Sequence, residues 1–246
     1  MREELVLGGR RHRVVRVGDT VRRPMPARAA YVHDVLRLLA RHGWPGAPRY
    51  LGTDDEGREI LSYLPGHVAR EPAQPPDVWS EESLARVARL VRQLHDLTAG
   101  SWLAGDQEVV CHNAVSPENT VYRDEGGRLR PYAFLDWDDA APGRRVHDVA
   151  YLCWRFLRLG TSANPTGPAS LLRTIADAYG LTIRDRRALV ETILWRQDQC
   201  WQTIEARARE GEPTMRRLVE EGHVATIQDA YCWVAAHRTT LEAALF

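Results

Sequence analysis

The stretch that decides the fold of this chain is Val109-Val-Cys-His-Asn-Ala-Val-Ser-Pro-Glu-Asn-Thr-Val-Tyr122, followed by the turn at residues 124–127 and by Pro131-Tyr-Ala-Phe-Leu-Asp-Trp-Asp-Asp139. An apolar strand, a polar loop, a hairpin turn and a second apolar strand are therefore predicted within residues 109 to 139. Asn119 closes the polar loop, and Asp136 comes at the end of the second strand. Amide and carboxylate oxygens are ligands that Mg²⁺ prefers in proteins, so these two side chains are candidate metal ligands.

The residues before this stretch predict two hairpins and one helix. Runs rich in β-branched residues flank Gly18-Asp19, which is a signal for a two-residue hairpin turn. Apolar residues then recur at helical spacing, and a second pair of strands ends at Pro65-Gly66. The predicted elements are a strand at 13–17, a strand at 20–23, a helix at 27–42, and strands at 48–52 and 58–64. Together they predict a β-rich N-lobe over residues 1–66.

The remainder of the chain, residues 67–246, is predicted to be a mostly helical C-lobe. Residues 67–79 are rich in proline and have the composition of a linker. Ser80 is suited to cap a helix that ends near Gly100, because its hydroxyl can accept a hydrogen bond from the first helical turn. Further helices are predicted at 146–158, 168–179, 185–210 and 214–243. The fold class is therefore α+β with two lobes.

Composition excludes several classes of protein. The chain has 246 residues, with 33 basic and 33 acidic side chains, and every basic one is arginine. Because arginine stays protonated, Walker-type phosphate loops and Schiff-base chemistry are excluded. The formal net charge of zero gives no field that attracts nucleic acid or a membrane, so neither is expected as a partner. The four cysteines form no Cys-x-x-Cys pair and no signal peptide is evident, which predicts a cytoplasmic protein.

Residues 109 to 139 carry the parts of a kinase catalytic loop and metal loop. The segment resembles the aminoglycoside phosphotransferase and choline kinase superfamily, whose pattern is His-Gly-Asp-x-x-x-x-Asn followed by Ile-Asp-Trp or Ile-Asp-Phe. It resembles most closely an actinobacterial branch with His-Asn-Asp-x-x-Pro-x-Asn, which includes trifolitoxin-immunity-type proteins. The resemblance covers nearly the whole chain and implies a two-lobed protein-kinase-like fold. It also implies that Asn119 and Asp136 bind the metal, that His112 orders the loop, and that Asp148 braces the loop from the following helix.

The catalytic position departs from the family pattern. Where the family has the aspartate that accepts or orients the proton of the substrate hydroxyl, this chain has Ala114. A methyl group does neither, so phosphate transfer by the usual route should be strongly reduced. Two explanations stay open: a natural pseudoenzyme, and an inactivating substitution in an otherwise active enzyme. The intact metal ligands favour the second explanation.

The resemblance further implies a nucleotide site in the N-lobe. Gly8 and Gly9 resemble the short glycine turn over the phosphates. Val21 and Arg23 share one face of a strand by period-2 alternation, at the positions of an adenine-facing apolar residue and a lysine in the family. Arg23, or Arg22 if the strand register slips, is expected to replace this lysine as the cation on the α- and β-phosphates. The alternative is a solvent-exposed arginine on an edge strand.

Two further positions concern the same nucleotide site. The backbone of Ser62, Tyr63 and Leu64 resembles the hinge that meets adenine. The family's helix glutamate, which pairs with the strand lysine, is expected at Val32 or His33 and is missing there. The usual lysine–glutamate bridge therefore cannot exist in its familiar form.

The sequence leads to one main hypothesis and one alternative. The main hypothesis is a phosphotransferase that uses ATP and Mg²⁺ and transfers the γ-phosphate to a hydroxyl of a small molecule or a peptide, with Ala114 leaving this chain inactive or trapped. A peptide acceptor implies a protein partner from a peptide-modifying pathway. The alternative is a non-catalytic pseudokinase that acts as a binding, immunity or scaffold protein.

Overall fold

The computed structural model describes residues 4–6, 14–70 and 73–246. Contacts between Cα atoms divide the chain into two compact units, Met1–Arg145 and Val146–Phe246. The first unit contains all of the described strands, and the second is helical. Among the described residues, none of the helices combines the length and apolar character required to cross a bilayer.

A five-stranded antiparallel sheet opens the first unit, in the order β1-β2-β3-β5-β4. Its elements are β1 Glu4–Val6, β2 Val14–Val17, β3 Thr20–Pro24, the helix α1 Ala29–Arg41, β4 Tyr50–Thr53 and β5 Arg58–Ser62. Gly18 has the positive φ of 63° that the predicted two-residue turn requires. Both predicted hairpins are confirmed, and they share one sheet because β3 pairs with β5.

Helix α1 is amphipathic, as its periodicity predicts. Its apolar stripe is fully buried, with Val32, Val35, Leu36 and Leu39 each at 1% exposure or less. It begins at Ala29 and ends at Arg41, just before Gly43, whose φ of 67° is poorly tolerated by side chains. The buried stripe also carries His33, a polar residue at a position where helix periodicity favours an apolar one.

The second half of the first unit positions the polar loop. Its elements are β6 His67–Val68, α2 Glu81–Thr98, β7 Val109–Cys111, β8 Thr120–Asp124, β9 Leu129–Phe134 and β10 Ala141–Gly143. β6, β8 and β9 form a three-stranded sheet, and β7 pairs with β10. The Ser80 side chain accepts a hydrogen bond from the Ser83 N–H, so the predicted cap is confirmed. The last strand of the five-stranded sheet, β5, ends at Ser62, whereas the first compact unit continues to Arg145. The lobe boundary at residue 66 therefore stays a prediction.

The second unit consists of helices. They are α3 Arg145–Phe156, α4 Thr166–Tyr179, α5 Ile183–Arg209, α6 Pro213–Glu220, α7 His223–Ala236 and α8 Arg238–Ala243. The prediction of a single helix over residues 214–243 is wrong. Gly222 interrupts the helix because it adopts a left-handed conformation with φ of 77°, and a second interruption follows at His237. The apolar stripe of α5, which includes Val190, Ile193 and Ile204, forms the centre of this unit.

Candidate active site

His112 orders the polar loop from inside the protein. Its side chain is fully buried, and its Nε2 lies 3.0 Å from the Leu135 carbonyl oxygen. The Ala114 N–H donates to Nδ1 at 3.3 Å. A carbonyl only accepts, so the hydrogen bond to Leu135 is donated by His112 Nε2. The ring also packs on Trp137 at a centroid distance of 4.5 Å. His112 therefore connects the loop to the residue that precedes Asp136, and its role as a structural histidine stays a prediction.

Ala114 presents a methyl group at the position where the family resemblance implies a carboxylate. The residue is 8% exposed. The preceding residue, Asn113, adopts a positive φ of 64°, and its Nδ2 donates to the Asp139 carbonyl at 3.0 Å. This hydrogen bond fixes the loop on a segment adjoining the predicted metal ligand. The loop conformation is therefore held by its neighbours and does not depend on a carboxylate at position 114.

Asn119 and Asp136 are brought together by Leu135. The Leu135 N–H donates to the Asn119 carbonyl at 2.8 Å, and Asp136 is the next residue along the chain. The Asn119 side-chain Nδ2 donates to the Ala114 carbonyl at 3.0 Å, which leaves Oδ1 without a partner among the described residues. Asp136 has a φ of 58°, so the chain turns sharply here, and its side chain is 37% exposed. The backbone hydrogen bond of Leu135 therefore places Asn119 next to the residue that precedes Asp136.

Arg23 is buried and lies against this loop. It is 9% exposed, and its strand β3 is flanked by β2 and β5, so the alternative of a solvent-exposed edge arginine is wrong. Its Nη2 lies 2.5 Å from Asp138 Oδ1, and its Nη1 lies 3.8 Å from Asp136 Oδ1. Burial by itself lowers the pKa of Arg23, but the carboxylates of Asp138 and Glu59 outweigh burial and raise it. The guanidinium therefore stays charged.

The carboxylate partner of Arg23 comes from a strand instead of a helix. Glu59, on β5, is directly opposite Arg23 in the sheet register, is fully buried and accepts a hydrogen bond from Arg23 Nε. Its other oxygen lies 2.6 Å from Nε2 of His33, which occupies one of the two helix positions where the family glutamate was expected. Sequence reasoning missed Glu59, although an acidic residue within a short strand was an available signal.

Asp138 and Arg70 are two further residues near Asp136. The Asp138 side chain is only 10% exposed and is paired with Arg23, so this loop residue is not a solvated one. Arg70 follows β6, whose residue Val68 pairs with Val121 of β8, so the chain beyond Val68 runs toward the Asn119 end of β8. Burial lowers the pKa of Arg70, and the charge of Asp136 opposes this effect.

The remaining predicted nucleotide residues are placed but their roles stay predictions. Val21 is half-buried and pairs with Leu61 across the sheet. The Ser62 and Tyr63 N–H groups donate to the carbonyls of Arg49 and Asp19, each at 2.9 Å, so these two donors are already in use. Leu64 packs against Val121, Tyr132 and Ala133.

Three predicted site residues lie outside the described part of the first unit. Gly8 and Gly9 lie outside the described residues. Asp148 is fully buried in α3 and belongs to the second unit. Its predicted bracing role stays a prediction.

Residues 78–190 match the profile of the "Phosphotransferase enzyme family". The trifolitoxin immunity protein of Rhizobium leguminosarum bv. trifolii is 30% identical, with 100% of both chains covered. The chain belongs to this phosphotransferase family.

Solved structures share the fold. A choline/ethanolamine kinase family protein from Mesorhizobium loti superimposes with a TM-score of 0.64 and 17% identity, covering 100% of this chain and 92% of the other. The GDP complex of aminoglycoside 2′-phosphotransferase-IIIa gives a TM-score of 0.63 at 14% identity, covering 94% and 93%. At these identities the likeness concerns the fold.

Proposed function

We propose that this chain binds ATP together with Mg²⁺ and is built to transfer the γ-phosphate to a hydroxyl group, with transfer suppressed at Ala114. The observation that carries the proposal is the set of carboxylates beside the loop. Arg23 forms ion pairs with three of them, those of Glu59, Asp136 and Asp138. Asp136 follows Leu135, whose N–H donates to the Asn119 carbonyl, so a carboxylate and an amide of the kind that Mg²⁺ takes as ligands belong to one hydrogen-bonded segment.

The donor set fits Mg²⁺. The Asn119 Oδ1 and the Asp136 carboxylate are hard oxygen ligands, and the amide of Asn119 is oriented with its nitrogen toward the Ala114 carbonyl and its oxygen away from it. Asn119 and Asp136 would hold the metal, and Asp138 adds negative charge next to it. When bound, the metal would neutralise the phosphate oxygens of the nucleotide.

Arg23 would hold the phosphates with its Nη groups, because these lie beside Asp136, a predicted metal ligand, and Asp138. Its Nε is already occupied by Glu59. The expected adenine contacts are with Val21 and the Ser62–Leu64 backbone, and Gly8 and Gly9 would cover the phosphates. A structural neighbour that holds GDP supports a nucleotide ligand of this kind. A residue pair that binds metal and a cation that binds phosphate together account for nucleotide binding without any contribution from Ala114.

The acceptor hydroxyl must lose its proton during transfer, and Ala114 offers no group that accepts it. General-base catalysis raises reaction rates by about 10²–10⁴-fold, so phosphate transfer by this chain is expected to be slower by about this factor than transfer by the same chain with an aspartate at position 114. The test is the rate of phosphate transfer by Ala114→Asp against the wild-type chain, with aminoglycosides, other small alcohols and Ser/Thr-containing peptides as acceptors. A gain of about 10²-fold or more with one acceptor class supports the proposal. No transfer by either form, across all three classes, contradicts it.

The acceptor class is a small molecule or a peptide. One structural neighbour is an aminoglycoside phosphotransferase, which supports the first class. A peptide acceptor would bring a protein partner from a peptide-modifying pathway. A cytoplasmic location belongs to the same proposal, since ATP is available there and the four cysteines are free thiols.

The second candidate function is a non-catalytic binding or immunity protein. It is favoured by Ala114 together with the 30% identity to an immunity protein over the full length of both chains. The two candidates differ in the response to Ala114→Asp. A variant that binds Mg²⁺ and ATP but transfers no phosphate to any acceptor class supports the binding protein.

A further inference from the structure

We infer that Glu59 and His33 are positioning residues that aim the Arg23 guanidinium at the phosphates of the nucleotide. The inference deepens the proposed function and rests on it. It concerns how this chain presents a cation to phosphate without a lysine and without a helix glutamate.

Glu59 fixes the direction of the guanidinium. Arg23 and Glu59 are paired residues on neighbouring strands, so their side chains leave the same face of the sheet. The Nε–H of Arg23 donates to Glu59 Oε1. Because a guanidinium is planar and its five donors form a rigid fork, holding Nε determines where the two Nη groups point. They point at Asp138 and at Asp136, which is one of the two predicted metal ligands.

His33 holds Glu59 in turn. A carboxylate only accepts, so the 2.6 Å contact to Glu59 Oε2 is a hydrogen bond donated by His33 Nε2. The imidazole is stacked on the Tyr50 ring, with centroids 3.6 Å apart and planes 18° apart. Both oxygens of Glu59 are therefore occupied, one by the arginine and one by the histidine. A contact from helix α1 thus reaches Arg23 through a histidine and a strand carboxylate.

A purely structural role explains this arrangement poorly. Buried ion pairs add little stability compared with apolar residues of similar volume, because desolvating two charges is costly. Glu59 is fully buried and Arg23 is 9% exposed, yet the Nη groups of the guanidinium are directed at two more carboxylates. A fixed cation at this position is useful when a phosphate comes to lie against its Nη groups.

The experiment compares the affinities of adenosine, AMP, ADP and ATP, each with Mg²⁺, by calorimetric titration of the wild-type chain and Glu59→Gln. The matched control is Glu56→Gln, which makes the same chemical change in the β4–β5 turn, where the side chain is 70% exposed. Glu59→Gln is expected to weaken ADP and ATP by about tenfold or more, which corresponds to about 1.4 kcal/mol, and to leave adenosine within about twofold. Glu56→Gln is expected to leave every ligand unchanged.

A second pair of variants keeps the test decisive if Glu59→Gln does not fold. His33→Leu removes the donor to Glu59, and His33→Gln keeps an N–H donor at that position. His33→Leu is expected to weaken ATP by about threefold or more, and His33→Gln to restore most of the affinity. Equal ATP affinity in all folded variants refutes the inference while leaving the proposed function intact. A variant that loses affinity for adenosine and for ATP to the same extent also refutes the inference. A wild-type chain that binds neither ADP nor ATP refutes both.

Discussion

Arg23→Leu is expected to destabilise the protein by about 3–5 kcal/mol, the range for breaking a buried ion pair from one side. The magnitude follows from what the change leaves behind. Glu59 is fully buried, and the side chain of Asp138 is 10% exposed, so both carboxylates lose their cation in places that water barely reaches. For a chain of this size, 1 kcal/mol shifts the melting temperature by about 2–4 °C, so the midpoint should fall by roughly 6–20 °C.

The assay is urea unfolding followed by tryptophan fluorescence, with Arg22→Leu as the matched control. Arg22 is the adjacent residue on the same strand, but its partner Asp54 lies 3.7 Å away and its side chain is 19% exposed. Its replacement should cost less than that of Arg23, because Asp54 keeps the Arg58 guanidinium as a cation at 2.8 Å. An Arg23→Leu variant as stable as the Arg22→Leu control would refute the reasoning.

The double variant Arg23→Leu/Glu59→Leu separates stability from nucleotide binding. Replacing Arg23 and Glu59 by apolar side chains removes one of the two unpaired carboxylates and leaves Asp138, so part of the lost stability is expected to return. ATP affinity is not expected to return, because the cation for the phosphates is absent. Recovery of ATP binding together with stability would show that Arg23 has no role at the phosphates.

Three other predictions follow from the described residues. Arg70→Gln is expected to weaken the affinity for ATP several-fold without changing the affinity for adenosine, because it removes a positive charge near Asp136. The control is Arg89→Gln on the exposed face of α2, which should change neither affinity, and both variants are measured by calorimetry. Burial raises the pKa of Tyr31 from 10.0 to about 12, so the free energy of unfolding should fall as pH rises from about 10 to 12, and in urea titrations Tyr31→Phe should lack this part of the loss. A thiol reagent at neutral pH should modify exposed Cys232 well before Cys153, whose thiol pKa is raised by burial, and Cys232→Ser should remove the fastest phase.

The fold was predictable where local signals agree. The turn at Gly18-Asp19, the helical spacing in α1 and the cap at Ser80 each specify an element from neighbouring residues, and each is confirmed. The break at Gly222 was missed because the helical periodicity continues on both sides of a single glycine. One glycine within a periodic segment lowers helix propensity without determining whether the helix ends.

The sequence predicts only those residues of the candidate site that lie close together along the chain. His112, Asn119 and Asp136 lie in one stretch, and the loop hydrogen bonds connect them as the motif spacing implies. Glu59 escaped sequence reasoning because its pairing with Arg23 depends on the register of two strands that are separated by a helix and a third strand. Asp138 escaped for the same kind of reason, since a charged loop residue is usually solvated, and only the tertiary fold places an arginine beside it.

The most direct test of the central claim is a calorimetric titration of the wild-type chain with ATP, with and without Mg²⁺, repeated on Asp136→Ala. The account predicts binding that requires Mg²⁺ and that weakens by at least about tenfold, or about 1.4 kcal/mol, when the Asp136 carboxylate is removed. Absent binding, or binding that is indifferent both to Mg²⁺ and to Asp136, would contradict the claim that this loop is a working metal–nucleotide site.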